Sequence, residues 1–228
     1  MTKRSKRYTA ASERIDRSQV YAPTDALTLL KDLPGAKFDE SVDVVVRLGI
    51  DPRKSDQLVR GAVTLPKGLG KEVTVVVFAE GDKADAATAA GADIVGSGDL
   101  ADKIAGGWMD FDIVIASPDM MRYVGKLGRV LGPQGKMPSP KSGTVTPDVG
   151  KAVTEFKAGK VKFNTDAGGN VHAALGKCSF PVADLEANLH AFLEHLGGMR
   201  PAAVKGTFLR RISLSTTMGP GATISYEG

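Results

Sequence analysis

The chain has 228 residues, of which 42% are hydrophobic and 25% charged, values typical of a globular protein with one large or two ordinary domains. The single cysteine, Cys178, excludes an internal disulfide framework, and no apolar run reaches the roughly 18 residues of a membrane-spanning helix. The basic N-terminus also lacks the apolar stretch of a secretory signal, and the single cysteine fits a reducing compartment, so we expect no membrane partner.

The formal net charge is +4, and its distribution is uneven. Residues 68–159 carry 10 Lys+Arg and 12 Asp+Glu, a net charge of −2. The two flanks, 1–67 and 160–228, carry 20 Lys+Arg and 14 Asp+Glu, a net charge of +6. Cationic character therefore lies in the two ends of the chain. This pattern predicts that the ends form one body and the middle another.

The N-terminal flank combines a helix with strands. Thr24 precedes an amphipathic segment, Asp25–Leu33, which Pro34-Gly35 ends, so we predict a helix capped by Thr24. Apolar and polar residues then alternate from Val42 to Ile50 and again from Val59 to Leu65. This alternation predicts two half-buried strands.

The middle segment alternates between apolar runs and helical patterns. The predicted strands are Val73–Ala79, Ala92–Val95, Phe111–Ala116 and Thr144–Thr146, and the predicted helices are Asp82–Ala90, Asp99–Ala105 and Asp119–Leu131. Continuous apolar runs are typical of strands that are buried on both faces. The order predicts a parallel, Rossmann-like α/β layer.

The C-terminal flank again resembles an antiparallel unit. It contains the strand-like segments Lys160–Asn164, Asn170–Leu175 and Thr207–Thr216, and the amphipathic helix Val182–Leu196. We therefore predict a combined α/β and α+β chain of two domains. A split antiparallel-sheet α+β domain, 1–67 with 160–228, is interrupted by an inserted Rossmann-like parallel α/β domain, 68–159.

Three segments resemble a known family. They are YVGKLGRVLGPQGKMPSPKSGTV (Tyr123–Val145), FDESVDVVVRLGIDPRKSDQLVRGAVTLPKGLGK (Phe38–Lys71) and KGTFLRRISLSTTMGP (Lys205–Pro220). Together they resemble the bacterial-type large-subunit ribosomal protein L-one, the stalk-protein family. The resemblance implies a cytoplasmic structural constituent of the large ribosomal subunit that binds large-subunit rRNA at the mobile stalk, beside other ribosomal components. It further implies contact with exit-site tRNA, help in its release, and repression of the translation of the protein's own operon mRNA.

The first candidate RNA-binding segment precedes the strand at Val42. It contains Lys37, Phe38, Glu40 and Ser41. An aromatic residue beside a cation at a sheet edge fits stacking on a base with a neighbouring phosphate contact. On the residues alone, a core phenylalanine with solvated neighbours is the simpler interpretation. The resemblance reverses this preference, because it places the segment on the RNA face.

The second candidate segment ends the last predicted strand. It contains Ser215, Thr216, Thr217, Met218 and Gly219. Hydroxyl groups can exchange hydrogen bonds with a ribose 2′-OH, methionine offers a flexible apolar surface, and glycine permits close backbone approach. An ordinary strand end with a turn explains the same residues equally well. The resemblance implies that Thr217, Met218 and Gly219 form the central RNA-contacting triad.

Other candidates are more dispersed. A third RNA-binding set comprises Lys162, Asn164, Asp166 and His172, and possible secondary contacts are Arg53, Lys54, Lys136 and Lys141. A lone histidine is more often a surface or packed residue than a ligand. Where the family commonly has a charged turn, this chain has Ala167-Gly168-Gly169, so we expect no cationic contact from the turn itself. A solvated turn around Arg53 and a rigid cover for the parallel sheet around Lys136 remain open alternatives.

An enzyme that acts on a nucleotide or another small molecule is the alternative from a different functional class. The acidic middle segment and the glycine-rich junctions motivate it. However, Gly68-Leu69-Gly70-Lys71 is followed by Glu72 rather than Ser or Thr, and no GxGxxG or GxSxG motif is present. We therefore predict an RNA-binding protein that is not an enzyme and requires no metal or cofactor.

Overall fold

The structure, a computed structural model, describes residues 4–226. The chain forms two compact units. The first comprises the residues up to Gly70 together with those from Val161 onward, and the second is Lys71–Lys160. The first boundary, after Gly70, lies three residues beyond the one expected after residue 67. The second, after Lys160, lies one residue beyond the one expected after residue 159.

Within residues 4–226 the α-helices are α1 (Lys6–Glu13), α2 (Pro23–Asp32), α3 (Asp82–Ala89), α4 (Gly98–Ala105), α5 (Met121–Val124), α6 (Gly128–Leu131), α7 (Val149–Lys157) and α8 (Val182–Gly198). The strands are β1 (Val20–Tyr21), β2 (Ser41–Leu48), β3 (Arg60–Thr64), β4 (Val75–Phe78), β5 (Ile94–Gly96), β6 (Ile113–Ala116), β7 (Lys160–Asn164), β8 (Asn170–Lys177), β9 (Leu209–Thr216) and β10 (Gly221–Ile224). Short 3₁₀ helices lie at Pro118–Met120, Gly125–Leu127 and Pro140–Ser142. None of the described helices has the length and apolarity needed to cross a bilayer.

The first unit contains a five-stranded sheet in the order β1-β10-β9-β2-β8. The central strand β2 runs antiparallel to both β8 and β9. Val42, Val44 and Val46 are fully buried and belong to the same apolar core as residues of α2 and α8. The alternate residues of β2 are half-buried or exposed, which confirms the half-buried strand predicted from the alternation. We call the side of the sheet that carries these alternate residues its open face.

The second unit is a parallel α/β layer. β4 lies between β5 and β6 and runs parallel to both, and Val145 adds a parallel bridge beside Ala116. Val75 and Val77 belong to one apolar cluster, which includes residues of α3 and α7, whereas Phe78 belongs to another, which includes residues of α4, α5 and α6. Both faces of β4 are therefore buried, which is why its sequence is a continuous apolar run. The predicted fold class is confirmed.

Some elements differ from the sequence-based predictions. The predicted helix Asp119–Leu131 is a succession of short α and 3₁₀ segments, with a change at Gly125 and another at Gly128, because glycine holds helical geometry weakly. Thr24 is not a helix cap: Ala22 is the N-cap residue of α2, and the Thr24 hydroxyl donates to Glu186 Oε1 at 2.8 Å. Helices α1 and α7 were not predicted.

Candidate nucleic-acid interface

The first two predicted segments meet at one end of the five-stranded sheet. Val42, near the start of β2, pairs with Thr216, the last residue of β9. The loop before β2 and the turn after β9 therefore lie side by side. We call the two segments 37–41 and 215–219 together the β2–β9 edge.

The buried side chain of Glu40 connects the two segments by hydrogen bonds. Its side chain is only 4% exposed, and its Oε2 atom accepts a hydrogen bond from the Met218 N–H at 2.9 Å. Its Oε1 atom accepts from the Ala36 N–H and lies 3.4 Å from Arg7 Nη1. Burial by itself would raise the pKa of Glu40, but the hydrogen bonds from Met218, Ala36 and Thr216 and the charge of Arg7 outweigh it, so the pKa is lowered.

The structure gives Glu40 a role within the protein, beside the RNA contact predicted for it. A buried carboxylate whose oxygen atoms already accept hydrogen bonds from the protein has little capacity left for a ligand. The geometry makes Glu40 a positioning residue, since it holds the backbone of Met218 against the loop before β2. Arg7 supports the same arrangement, because its Nη2 atom donates to the Met218 carbonyl oxygen at 3.2 Å.

Thr217 is hydrogen-bonded to the first residue of β2. Its Oγ1 atom accepts from the Ser41 N–H at 2.9 Å and donates to the Ser41 carbonyl oxygen at 3.3 Å. A hydroxyl has one donor and two acceptor positions, so Thr217 keeps one acceptor position for another group. Its exposed side chain can therefore still receive a hydrogen bond from a ribose 2′-OH.

Gly219 is required by the turn itself. Its N–H donates to the Thr216 carbonyl oxygen at 3.1 Å. A Cβ atom built at Gly219 would lie 2.2 Å from Thr216 Oγ1, the hydroxyl that serves Glu40. Any larger residue would have to displace this hydroxyl, so the glycine preserves the contact between the turn and Glu40.

Two large apolar side chains are exposed at this edge. Phe38 is 55% exposed and Met218 is 52% exposed. The alternative interpretation of Phe38 as a core residue is therefore wrong. Only one other large hydrophobic residue in the described part of the chain, Val20, is comparably exposed. Two exposed apolar side chains on adjoining segments provide apolar surface that a partner can cover.

Lys177 is a cation of the β2–β9 edge that the sequence analysis missed. Its Nζ atom donates to Ser41 Oγ at 3.1 Å and to the Asp39 carbonyl oxygen at 3.4 Å. It lies on β8, opposite Ser41 on β2. The pairing of two strands distant in sequence creates this neighbourhood, so no local pattern could have revealed it.

His172 lies on the open face of the sheet. Val45 pairs with His172 on one side and with Ser213 on the other, and Asp43 pairs likewise with Ala174 and Ser215. A shallow depression lined by residues 43, 45, 172–174 and 215 connects the position of His172 to the β2–β9 edge. The open face thus links one member of the third predicted set to Ser215.

Asp166 stabilises the turn between β7 and β8. Its Oδ1 atom accepts from the N–H groups of Gly168 and Asn170 at 2.8 and 2.7 Å, and His172 Nε2 lies 3.2 Å from Oδ2. These contacts lower its pKa: the Asn170 N–H has the largest effect, burial opposes it, and the Asn170 side chain, His172 and the Gly168 N–H add to the lowering. The Asp166 carboxylate therefore accepts hydrogen bonds from its own turn. It also lies against the His172 ring and can hold that side chain in place.

Lys162 and Asn164 belong to a different sheet. Both lie on β7, which pairs with β3 rather than with the five-stranded sheet. Lys162 is half-buried, and burial lowers its pKa, whereas Asn164 is exposed. The third predicted set is thus divided between two sheets.

Arg53 and Lys54 are exposed on the turn that follows the other end of β2. At about 3.4 Å per residue, the eight-residue strand separates this turn from Ser41 by roughly 24 Å. The two cations are therefore outside the β2–β9 edge.

The two predicted cations of the second unit have different surroundings. Lys136 Nζ donates to the carbonyl oxygens of Met109 and Phe111 at 3.2 and 2.6 Å, and it lies 4.8 Å from the centroid of the Phe111 ring. Lys141, in contrast, is exposed. These contacts brace the loop around Lys136 against Phe111, which favours the alternative of a rigid cover for this loop, and of the two predicted cations only Lys141 is exposed.

We expect Lys136→Ala to destabilise the second unit, because two carbonyl oxygens lose a charged donor at a loss of about 1–3 kcal/mol. The only tryptophan, Trp108, lies 5.2 Å from Phe111 by ring centroids, so its fluorescence during denaturant unfolding reports on this unit. Lys141→Ala is the matched control, and its free energy of unfolding should stay within about 0.5 kcal/mol of that of the unmodified chain. Equal free energies of unfolding for Lys136→Ala and Lys141→Ala would contradict the bracing role of Lys136.

The chain matches a family model and several curated relatives. Residues 30–220 match the model of the ribosomal protein L1p/L10e family. The chain belongs to this family. Proteins named large ribosomal subunit protein uL1 from Bordetella pertussis, Azoarcus sp. and Nocardioides sp. are 58%, 57% and 55% identical to it. The alignments cover 98%, 98% and 97% of this chain and 97%, 97% and 92% of those proteins.

Membership of this family confirms the resemblance seen in the three sequence segments. It also confirms that the chain is a ribosomal protein and not an enzyme, so the alternative of a nucleotide-dependent enzyme is wrong.

Proposed function

We propose that this protein is a structural constituent of the large ribosomal subunit, a cytoplasmic particle, and that it binds large-subunit rRNA through the β2–β9 edge. The names of its relatives support the first part of the proposal. The chemistry of the edge supports the second part, since apolar side chains, hydroxyl groups and cations are the groups that recognise RNA by stacking, ribose contact and charge.

The observation that carries this proposal is the joint exposure of Phe38 and Met218 on two segments held together by Glu40. Met218 is fixed through its backbone N–H, so its side chain is left for a partner. Lys37 on the same edge is exposed as well, and it supplies a positive charge for phosphate. A preorganised surface of this kind loses little conformational entropy on binding.

The proposal extends to two further RNA molecules. The family resemblance supports contact with exit-site tRNA at the mobile stalk and help in its release, and Lys141 is the predicted cation of the second unit that remains exposed for it. The resemblance also supports repression of the protein's own operon mRNA. If one edge serves both rRNA and mRNA, the free protein binds mRNA only when rRNA is consumed, which gives feedback by mass action.

A variant that lacks residues 71–160, with a short flexible linker between Gly70 and Val161, tests where the RNA is bound. We expect it to bind large-subunit rRNA nearly as tightly as the full chain, because the β2–β9 edge lies entirely in the first unit. Filter binding at raised salt, with mononucleotides as competitors, measures specific capture of the RNA.

Circular dichroism shows whether the shortened chain is folded. Loss of rRNA binding by a folded product would place the site in the second unit and overturn the proposal. Effective competition by mononucleotides would likewise argue against recognition of a folded RNA.

A further inference from the structure

The first turn of helix α1 borders the β2–β9 edge. A shallow groove there is lined by Arg4, Ser5, Arg7, Tyr8 and Met218. Arg7 forms one wall and is tied to the edge, since its Nη2 atom donates to the Met218 carbonyl oxygen at 3.2 Å and its Nη1 atom lies 3.4 Å from Glu40 Oε1. Helix α1 is thus attached to the same two segments that Glu40 joins.

The groove combines an aromatic ring, an apolar side chain and a cation. The Arg4 guanidinium carbon lies 4.8 Å from the centroid of the Tyr8 ring, so the two side chains form a cation–π pair. Arg4 is exposed and Tyr8 is half-exposed. Planar guanidinium and aromatic groups are the surfaces on which unpaired bases stack, and the guanidinium can also meet a phosphate.

We propose that this groove is a nucleotide subsite, which takes one unpaired nucleotide of the RNA that occupies the β2–β9 edge. The inference rests on the proposed function, because Met218 belongs to both surfaces and makes them continuous. The base stacks on the Arg4–Tyr8 pair and the Met218 side chain, and Arg4 neutralises the adjoining phosphate. Continuity with the edge and the positive charge of Arg4 and Arg7 favour a polynucleotide over an apolar peptide as the occupant.

The full chain and large-subunit rRNA test this subsite directly. We expect Tyr8→Leu, which keeps an apolar side chain but removes the ring, to weaken binding roughly fivefold or more, the effect of losing one stacked base. Tyr8→Phe keeps the ring and should bind as the unmodified chain does. Arg4→Gln should weaken binding and lower the slope of log affinity against log salt by about 0.7–0.9, the contribution of one phosphate contact.

Lys6→Gln is the matched control, because it removes one charge from the same turn at a residue that does not line the groove. Greater losses for Tyr8→Leu and Arg4→Gln than for Lys6→Gln support the subsite. Equal affinities for these three variants would overturn it and leave the proposed function intact, provided that Met218→Ala still weakens binding. If Met218→Ala binds normally, the proposed function itself fails, and the subsite fails with it.

Discussion

We expect Phe38→Ala to weaken the binding of large-subunit rRNA by about 1–3 kcal/mol, the effect of losing one aromatic side chain that stacks on a base. The side chain is exposed in the structure, so its truncation removes little buried surface and should leave the free energy of unfolding within about 0.5 kcal/mol of its original value. The effect of this substitution on RNA affinity can therefore be distinguished from any effect on folding stability. Filter binding measures the first and denaturant unfolding the second.

Thr217→Ala and Met218→Ala are expected to weaken RNA binding in the same way, since their side chains are exposed on the same edge. Arg53→Ala is the comparison, because Arg53 lies at the far end of β2 and can contribute only a peripheral charge. A loss with Arg53→Ala as large as that with Phe38→Ala would show that charge alone governs the interaction. The proposed edge would then be wrong.

Glu40→Gln should reduce both stability and RNA affinity. The amide keeps the size of the side chain but replaces one acceptor oxygen by an NH₂ group, so a backbone N–H of Met218 or Ala36 loses its partner. An unsatisfied buried group costs about 1–3 kcal/mol. RNA affinity falls as well, because the Met218 backbone is no longer held in place. Glu13→Gln changes an exposed carboxylate of α1 and is the matched control.

The effect of Glu40 on stability depends on pH in a defined direction. Its pKa in the folded protein lies below the ordinary value of 4.5, so the unfolded chain takes up the proton first as the pH falls. The stabilisation by Glu40 is therefore fully present above about pH 4.5 and is lost as the pH falls through the lower folded pKa. The difference in unfolding free energy between the original chain and Glu40→Gln should therefore become smaller as the pH falls below about 4.5. A difference that stays constant down to the acid transition would contradict a role for the ionised carboxylate.

The elements that the sequence predicted well are those whose pattern is local. The apolar run at β4 and the alternation along β2 follow directly from burial on two faces and on one face. Helix α7 could also have been found, since its buried residues Val149, Ala152, Val153 and Phe156 have helical spacing and Asp148 caps its first turn. The short strands β1 and β10 carry no comparable signal, because two to four residues are too few to show a period.

By itself, the sequence determined the fold class, because hydrophobic periodicity is a property of neighbours along the chain, and the resemblance of three segments to a known family indicated the family and the two segments that form the β2–β9 edge. Only the tertiary structure decided what each polar residue does. Glu40 and Lys136 were candidates for RNA contact, and each is occupied by protein groups. Lys177 was not a candidate, yet strand pairing brings it to the edge, and helix packing brings Arg7 of the basic N-terminal segment there as well. The physical reason is that the partner of a charged group is chosen by contacts between residues far apart in the chain, which leave no periodic trace in the sequence.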